Sequence, residues 1–253
     1  MSSFDDISLA YDNSIDWESR LKREMPFLLS LIERTKSPHV LDLACGSGRH
    51  SVSLANYGAE VIGIDSSKSM VQAAEIHAKE KGVTPIFIVA DMESIKATVE
   101  GPFDLIICLG NSLALVNDVD TLKQVVKDVF TLLKDGGSFV AQVLNFEEIH
   151  WTGFRNFPMK TGKLSNGEEI TFARLFEHSD YPFSSTLVMS AFRKQEGAWT
   201  SEVSTQKVLN LKYDKMKSIL QEASFSSVDI FSDYAKGSFE KKDDRSMVIH
   251  SMK

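Results

Sequence analysis

The strongest constraint on the fold is a short apolar run, VLDLACGSG at residues 40–48, which ends in two closely spaced glycines. Glycine has no Cβ, so Gly46 and Gly48 allow a tight strand-to-helix turn whose backbone can approach a ligand. Asp65 ends the next apolar run, about 20 residues later, which is the distance at which an acidic side chain meets ribose hydroxyls. The pattern predicts a site for a ligand with an adenosine moiety.

Short apolar runs alternate with helical segments through the first 145 residues. The predicted strands cover 39–44, 60–64, 85–89, 103–108 and 138–144, and the predicted helices cover 17–33, 49–57, 67–81 and 118–134. Strands interleaved with helices imply right-handed crossovers and a parallel sheet that is covered on both faces. We therefore expect an α/β fold built on an open, doubly wound, mostly parallel sheet.

The pattern changes after Asn145. Extended segments at 169–177, 186–194 and 202–211 follow one another without helices between them, which predicts an antiparallel insertion. A helix at 213–223 and strands near 228–234 and 247–252 return to the main sheet. We expect residues 1–145 and 212–253 to form the ligand-binding domain, with 1–37 as an N-terminal helical cap. Residues 146–211 then form a small β insertion that covers the site as a lid.

Composition narrows the function classes. The chain is 43% hydrophobic with a formal net charge of −7, and two cysteines and six histidines are scattered along it. It has no run of about 20 apolar residues and no basic start followed by an apolar stretch, so we expect a cytoplasmic protein with no membrane partner. The acidic balance argues against a nucleic-acid partner and favours a small-molecule substrate. The scattered cysteines and histidines predict neither a disulfide framework nor a metal site.

The identity of the adenosine ligand follows from two residues of the glycine loop. A dinucleotide site prefers a third glycine at the position of Ser51, where it lets the helix close on the strand. Asp42, at the mouth of the loop, would repel a pyrophosphate but can receive an ammonium group. These residues favour S-adenosylmethionine over NAD, and an NAD-type oxidoreductase stays as an alternative.

Further motifs then follow in an order that resembles the class I S-adenosylmethionine-dependent methyltransferases. After LDLACGSG come VIGIDSS, VADME, FDLIICLGNSLALV and LLKDGGSFV, so that the resemblance covers about residues 38–145. It implies a seven-stranded sheet with an antiparallel last strand and S-adenosylmethionine as the cofactor. Together with the glycine loop it implies a cofactor-binding set: Asp42, Ala44, Gly46 and Gly48 at the methionine end, Asp65 and Ser66 at the ribose, Met70, Asp91 and Met92 at the adenine, and Leu109 beside the sulfonium.

Within that superfamily, ICLGNSLA is similar to the corresponding segment of the glycine and sarcosine N-methyltransferases. The similarity extends upstream, because Ser19-Arg20 and then Leu28-Leu29 occur as paired residues in that family. The resemblance implies that Arg20 binds the carboxylate of the cofactor, for which a guanidinium has suitable geometry. It also implies that Tyr11, in the AYD segment, closes over the cofactor.

Two departures from that family concern the acceptor. The family carries a histidine at the position of Leu115 and an arginine at the position of Leu144, where the arginine holds the substrate carboxylate. A buried carboxylate without a cationic partner is costly, which puts glycine itself in doubt. Arg155 or Arg174 of the insertion would then supply the charge.

Methyl transfer from a sulfonium is an in-line displacement from an activated donor, so the protein mainly orients the acceptor and needs no obligatory base. Asn111 and Asn145 follow two strands directly and are, with Tyr11, the candidates for positioning the substrate. Trp151 would line the substrate site. We expect transfer to a nitrogen or oxygen of a small molecule, with a nucleic-acid or protein methyltransferase as the alternative. An exposed edge of the insertion would offer a pairing surface for a homodimer.

Overall fold

The computed structural model describes residues 3–178, 180, 182–195 and 197–253. Its helices are α1 (Ser3–Asn13), α2 (Trp17–Ser30), α3 (Arg49–Asn56), α4 (Lys68–Lys81), α5 (Ile95–Thr98), α6 (Val119–Leu132), α7 (Phe146–Thr152) and α8 (Tyr213–Glu222). Its strands are β1 (His39–Leu43), β2 (Glu60–Asp65), β3 (Ile86–Val89), β4 (Phe103–Cys108), β5 (Leu133–Leu144), β6 (Lys160–Lys163), β7 (Glu169–Glu177), β8 (Ser184–Gln195), β9 (Ala198–Leu209), β10 (Ser227–Phe231) and β11 (Ser246–Met252). None of the described helices has the length and apolarity needed to cross a membrane.

The strands form a seven-stranded sheet and a separate four-stranded sheet. The larger sheet has the order β10-β11-β5-β4-β1-β2-β3, and β11 is antiparallel to both of its neighbours while β1 to β5 pair in parallel. The smaller sheet, β6-β7-β8-β9, is antiparallel throughout. The predicted doubly wound sheet, its antiparallel last strand and the antiparallel insertion are therefore confirmed. In such a sheet ligands bind beyond the carboxyl ends of the strands.

Several boundaries differ from the prediction. Strand β5 begins at Leu133 rather than at residue 138. The reason is that Gly136, at φ 77°, lies within the strand and does not form a separate turn before it. The predicted helix 17–33 ends at Ser30. Helix α7 and strand β6 were not predicted. The β6 sequence, KTGK, is polar and glycine-containing, so it lacks the apolar alternation by which strands are recognised.

The main sheet is buried on both faces. Along β4, Ile106 and Cys108 face a core formed with α5, α6 and α8, whereas Leu105 and Ile107 face a second core formed with α2 and α3. All four side chains are fully buried. This near-continuous apolar run is typical of a parallel strand that helices cover on each side, and it holds the carboxyl end of β4 in a fixed position.

The N-terminal helix packs on the insertion rather than on the main sheet. Ile7 and Ala10 of α1 share a third core with Phe172 and other residues of the small sheet. The backbones come so close there that a Cβ on Gly162 of β6 would collide with the carbonyl oxygen of Ala10. Helix α7, by contrast, buries Phe146 in the core of the main sheet. Helix α1 and the small sheet thus form one cover above the carboxyl edge of the main sheet.

Candidate active site

A cavity of about 760 Å³ lies beneath this cover, at the carboxyl ends of β4 and β5. Residues from four parts of the chain line it. Helices α1 and α2 and their connection contribute Tyr11, Ile15, Asp16, Ser19, Arg20, Arg23 and Glu24. The main strands and the turn after β4 contribute Gly110, Asn111, Leu115, Gln142, Leu144, Ser246 and Val248. The insertion contributes Phe157, Lys160, Arg174, Phe176 and Leu187, and the segment after β10 contributes Ser232, Asp233 and Tyr234.

The floor of the cavity is a hydrogen-bonded turn after β4. Gly110 and Asn111 both have left-handed backbones, at φ 74° and 70°. The Gly110 N–H donates to Oε1 of Gln142 at 3.0 Å, and Oδ1 of Asn111 accepts from the Leu144 N–H at 2.8 Å. The turn is thereby fixed to β5. Asn111 lines the cavity, and its amide nitrogen is the group left to donate a hydrogen bond to a substrate. Its positioning role stays a prediction.

Cationic side chains converge on this cavity from the insertion. The Arg174 guanidinium lies 5.0 Å from the ring centroid of Tyr11 and 4.5 Å from that of Phe157. Its Nε is buried and has no hydrogen-bond partner among the residues that the structure describes. Burial, together with the charges of Arg174 and Arg20, lowers the pKa of Lys160. Neither Lys160 nor Arg174 has a salt bridge to any of the described residues. The cavity therefore suits an anionic group.

Tyr11, on α1, contacts both cations and Phe172 of the small sheet. Its ring meets Phe172 edge-on, with the centroids 5.3 Å apart, and Lys160 Nζ lies 5.7 Å from the ring centroid. Burial raises the pKa of Tyr11, although Arg174 and Arg20 oppose that effect. The phenol is thus protonated at neutral pH, and its hydroxyl can donate or accept a hydrogen bond but is not a base.

The glycine loop lies next to this cavity, and its two glycines have different structural roles. Ala44, Gly46 and Gly48 all have positive φ, at 55°, 56° and 72°. A Cβ on Gly48 would lie 2.6 Å from Cβ of Ala74 and 2.9 Å from Cζ of Phe87, so this glycine is needed for helix packing. A Cβ on Gly46 would meet nothing within 4 Å. Gly46 is therefore the position at which a ligand can approach the backbone.

The carboxylate of Asp65 holds the loop in place. Its Oδ2 accepts from the Gly46 N–H at 2.8 Å, and its Oδ1 accepts from the Ser67 N–H at 2.9 Å. Burial raises the pKa of Asp65, and the two backbone hydrogen bonds oppose that effect. Each oxygen keeps further acceptor capacity, so the same carboxylate can hold the loop and still receive hydroxyl donors.

Asp42 is the most deeply buried acid of the loop region, at 3% exposure. Its Oδ2 accepts from the Ser51 hydroxyl at 2.6 Å. Burial raises the pKa of Asp42 to about 6, although His50 and the Ser51 hydrogen bond oppose that effect. The carboxylate therefore carries its negative charge at neutral pH against a substantial desolvation penalty.

Asp42→Asn is expected to stabilise the ligand-free protein, and the stabilisation relative to wild type should be larger at neutral than at acidic pH. Because the pKa of Asp42 is higher in the folded state, the native carboxyl keeps its proton between about pH 4 and 6 while the unfolded chain releases it. The free energy of unfolding of the wild type therefore falls as pH rises through that interval. The difference in unfolding free energy between Asp42→Asn and wild type should grow by about 2 kcal/mol as pH rises from 4.5 to 7. Urea titrations at the two pH values measure it, and a difference that does not change with pH contradicts the assignment.

Comparisons with known proteins show similarity to methyltransferases. Residues 40–137 match the family described as "Methyltransferase domain". The glycine/sarcosine N-methyltransferase of Parasynechococcus marenigrum (strain WH8102) is 25% identical over 239 residues, covering 94% of this chain and 80% of that protein. The glycine/sarcosine N-methyltransferase of Halorhodospira halochloris is 31% identical over 140 residues, covering 55% of this chain and 52% of that protein. A solved S-adenosylmethionine-dependent methyltransferase from Clostridium acetobutylicum ATCC 824 shares the fold, with a TM-score of 0.75, 20% identity and coverage of 94% and 92%.

Residues 40–137 carry a methyltransferase domain, and the chain is similar to glycine/sarcosine N-methyltransferases and to a solved S-adenosylmethionine-dependent methyltransferase. The resemblance that the sequence motifs predicted is thereby confirmed, and the chain is an enzyme. Its alignment with the Halorhodospira halochloris protein spans about half of that relative. The loop of this methyltransferase fits the cofactor, because the approach to Gly46 is open and the Asp65 carboxylate stands beside it. Among the described residues, no three His, Cys, Asp or Glu side chains are grouped so that they could hold a metal ion.

The methyltransferase brings some of its predicted site residues together and leaves others apart. Tyr11, Arg20, Asn111 and Arg174 all line the cavity. The rest of the predicted cofactor set lies around the ends of β1 to β4: Ser66 and Asp91 are exposed, Met70 and Met92 are half-buried, and Leu109 is buried against α2. The cofactor contacts of these residues stay predictions.

Asn145 is corrected from a substrate residue to a structural cap. Its side chain is fully buried, and its amide nitrogen donates to the carbonyl oxygens of Lys241 and Asp244, each at 2.8 Å. Its Oδ1 accepts from the Glu147 N–H at 3.0 Å and so caps α7. Both amide hydrogens are used, which leaves Asn145 no donor for a substrate.

Trp151 and Arg155 do not line the cavity, and their substrate contacts stay predictions. Trp151 is 67% exposed, and Lys242 Nζ lies 3.9 Å from its ring centroid. Arg155 is exposed and donates to the carbonyl oxygen of Phe176. Of the two arginines proposed from the insertion, the structure places Arg174 at the cavity.

Sequence reasoning missed Glu24, Lys160 and Tyr234, which all line the cavity. The Arg20 and Glu24 spacing of four on one helix was a usable signal for a paired carboxylate. Lys160 lies in the polar strand β6, whose sequence has no apolar alternation that would have predicted a strand there. The hydroxyl of Tyr234 is buried with no hydrogen-bond partner in the described part of the chain, and burial raises the pKa of this tyrosine. Its segment follows β10, whose carboxyl end lies at the same edge of the sheet, so topology could have indicated it.

Proposed function

We propose that this enzyme transfers a methyl group from S-adenosylmethionine to a nitrogen or oxygen of a small acceptor that carries a carboxylate or a similar anion. The observation that supports this most directly is the pair of Lys160 and Arg174 in the cavity, with no salt bridge among the described residues and with Arg174 Nε buried and unpartnered. Burying unpaired cations is costly, and an anionic acceptor removes that cost.

The acceptor would also have an apolar part. Two relatives are named for glycine and sarcosine, which pair an amine with a carboxylate. Leu115 and Leu144 line the cavity of this enzyme, at the two positions where the glycine and sarcosine N-methyltransferases carry a histidine and an arginine. Apolar side chains in the same cavity as Arg174 suit a carboxylate compound larger than glycine.

The cofactor would extend from the glycine loop to the cavity. We expect Asp65 and Gly46 to hold its adenosine half, as an acid and a glycine do in nucleotide sites of this topology. Arg20 would bind its carboxylate, and Asp42 would favour its ammonium group. Arg20 lies beside Gly110 at the end of β4, so it stands between the loop and the acceptor pocket.

The chemistry then depends on orientation more than on proton transfer. When bound, S-adenosylmethionine supplies a methyl group on a positively charged sulfur, which is already an activated electrophile. Arg174 and Lys160 would hold the acceptor anion, while the Tyr11 hydroxyl and the Asn111 amide orient its nucleophilic nitrogen or oxygen. The cover formed by α1 and the small sheet would exclude water. Orientation of this kind contributes roughly 7 to 11 kcal/mol.

Calorimetric titration tests the cofactor, and a product assay tests the acceptor class. We expect S-adenosylhomocysteine to bind in the micromolar range and NAD not to bind. Formation of S-adenosylhomocysteine from S-adenosylmethionine should then be stimulated by amino and hydroxy carboxylates and not by amines that lack an anion. Binding of NAD alone would favour an oxidoreductase, and methylation of a nucleic acid or protein in place of small molecules would overturn the acceptor proposal.

A further inference from the structure

Glu24 is a buried carboxylate with both oxygens in use. It lies in α2 at 5% exposure, Oε1 accepts from Arg20 Nε at 2.9 Å, and Oε2 lies 2.7 Å from His50 Nε2. Burial alone raises the pKa of Glu24, but the hydrogen bond and charge of His50, with those of Arg20, outweigh it and lower the pKa. An ionised carboxylate is therefore held inside the protein between the Arg20 guanidinium and the His50 imidazole.

These contacts leave one edge of the Arg20 guanidinium available. Glu24 binds Nε, and neither terminal nitrogen has a hydrogen-bond partner among the described residues. Nη2 lies beside the end of β4, at 3.5 Å from where a Cβ on Gly110 would be. The guanidinium also lies 4.8 Å from the ring centroid of Trp17, which restricts its plane. The edge with the two terminal nitrogens is the one that can grip a carboxylate in a bidentate manner.

The second partner of Glu24 connects it to the glycine loop. His50 lies in the first turn of α3, which begins directly after Gly48. Its ring is buried at 5% exposure and meets Trp17 edge-on at 5.8 Å. Glu24 thus joins α2, which carries Arg20, to the helix that starts from the loop.

We propose that Glu24 is a positioning residue for the cofactor carboxylate. It fixes Arg20 at Nε so that the terminal nitrogens face the cavity, and through His50 it holds Arg20 at a set distance from the glycine loop. This inference rests on the proposed function, in which Arg20 binds that carboxylate. Glu24 contributes to cofactor affinity through Arg20, because two carboxylates would repel each other in direct contact.

Two nucleosides distinguish positioning from a general structural role. S-adenosylhomocysteine carries the amino acid portion, and 5′-methylthioadenosine is the same thioether nucleoside without it. For Glu24→Ala, calorimetry should show S-adenosylhomocysteine binding weakened by about tenfold or more, the scale of a charged hydrogen bond. Binding of 5′-methylthioadenosine should stay within about twofold. The control is Glu18→Ala, an exposed acid on the same helix, which should change neither affinity.

Further variants separate the outcomes. Glu24→Gln keeps the volume and one acceptor for Arg20, so we expect an intermediate loss and an unfolding transition close to that of wild type. Arg20→Ala with Glu24→Ala should lose no more affinity than Arg20→Ala alone. Equal weakening of both nucleosides by Glu24→Gln, or full additivity of the double variant, overturns the positioning role. Failure of the wild type to bind S-adenosylhomocysteine would instead overturn the proposed function.

Discussion

Asp65→Ala is expected to weaken S-adenosylhomocysteine binding by about 100-fold. The carboxylate would receive the ribose hydroxyls, and hydrogen bonds to a charged acceptor contribute about 1.5 to 3 kcal/mol. The structure adds a second reason, because the same oxygens accept the backbone N–H groups of Gly46 and Ser67. Removal of the carboxylate therefore also releases the loop that the cofactor approaches. Calorimetric titration at constant pH measures the loss.

Asp65→Asn separates the two contributions. An amide keeps one acceptor oxygen but presents an NH₂ group to the other backbone N–H, so one loop bond is lost and the negative charge is removed. We expect its affinity to lie between those of wild type and Asp65→Ala. Glu60→Ala, at the exposed opposite end of β2, is the matched control and should bind normally. Unchanged affinity in a folded Asp65→Ala variant would contradict the ribose assignment.

The main sheet could be predicted because its signals are local. An apolar run that ends in Gly46 and Gly48 already implies a strand, a turn and a helix, and repetition of that unit implies parallel pairing. Each predicted strand of the main sheet is present. The polar β6 could not be predicted, because it becomes a strand only by pairing with β7 and by the close approach of Ala10 to Gly162.

Side-chain direction explains the errors in the site. Asn111 and Asn145 each follow a strand of the main sheet, and the sequence does not distinguish them. The structure does, because the partners of Asn145 are carbonyl oxygens of Lys241 and Asp244, nearly a hundred residues later in the chain. Those bonds turn its amide away from the cavity, whereas the left-handed backbone of Asn111 keeps it on the cavity floor.

Glu24 shows a related limit. Its position among Arg20, Lys22 and Arg23 on α2 indicates a solvated charged face. The structure buries it, because His50 from α3 approaches the same face and supplies a second hydrogen-bonding partner. A helical pattern records which residues share a face, but the helix that covers that face is determined by the tertiary fold.

Arg174→Ala is expected to lower kcat/KM for the acceptor by about 100-fold while leaving S-adenosylhomocysteine affinity within about twofold. Truncating one partner of a buried, hydrogen-bonded charge pair costs roughly 2 to 5 kcal/mol. The guanidinium lies against Tyr11 and Phe157, so its loss also removes packing that orients the acceptor. The rate of S-adenosylhomocysteine formation with the best carboxylate acceptor measures the effect.

Arg155→Ala is the matched control, since Arg155 belongs to the same insertion, is exposed and lies outside the cavity. It should keep wild-type kcat/KM. Arg174→Lys keeps the charge but loses the planar fork, so we expect partial activity with a raised KM. If Arg155→Ala were the impaired variant and Arg174→Ala the active one, the acceptor would bind on the outer side of the insertion. Selective loss in Arg174→Ala, with cofactor binding retained, would instead place the acceptor anion between the cover and the end of β4.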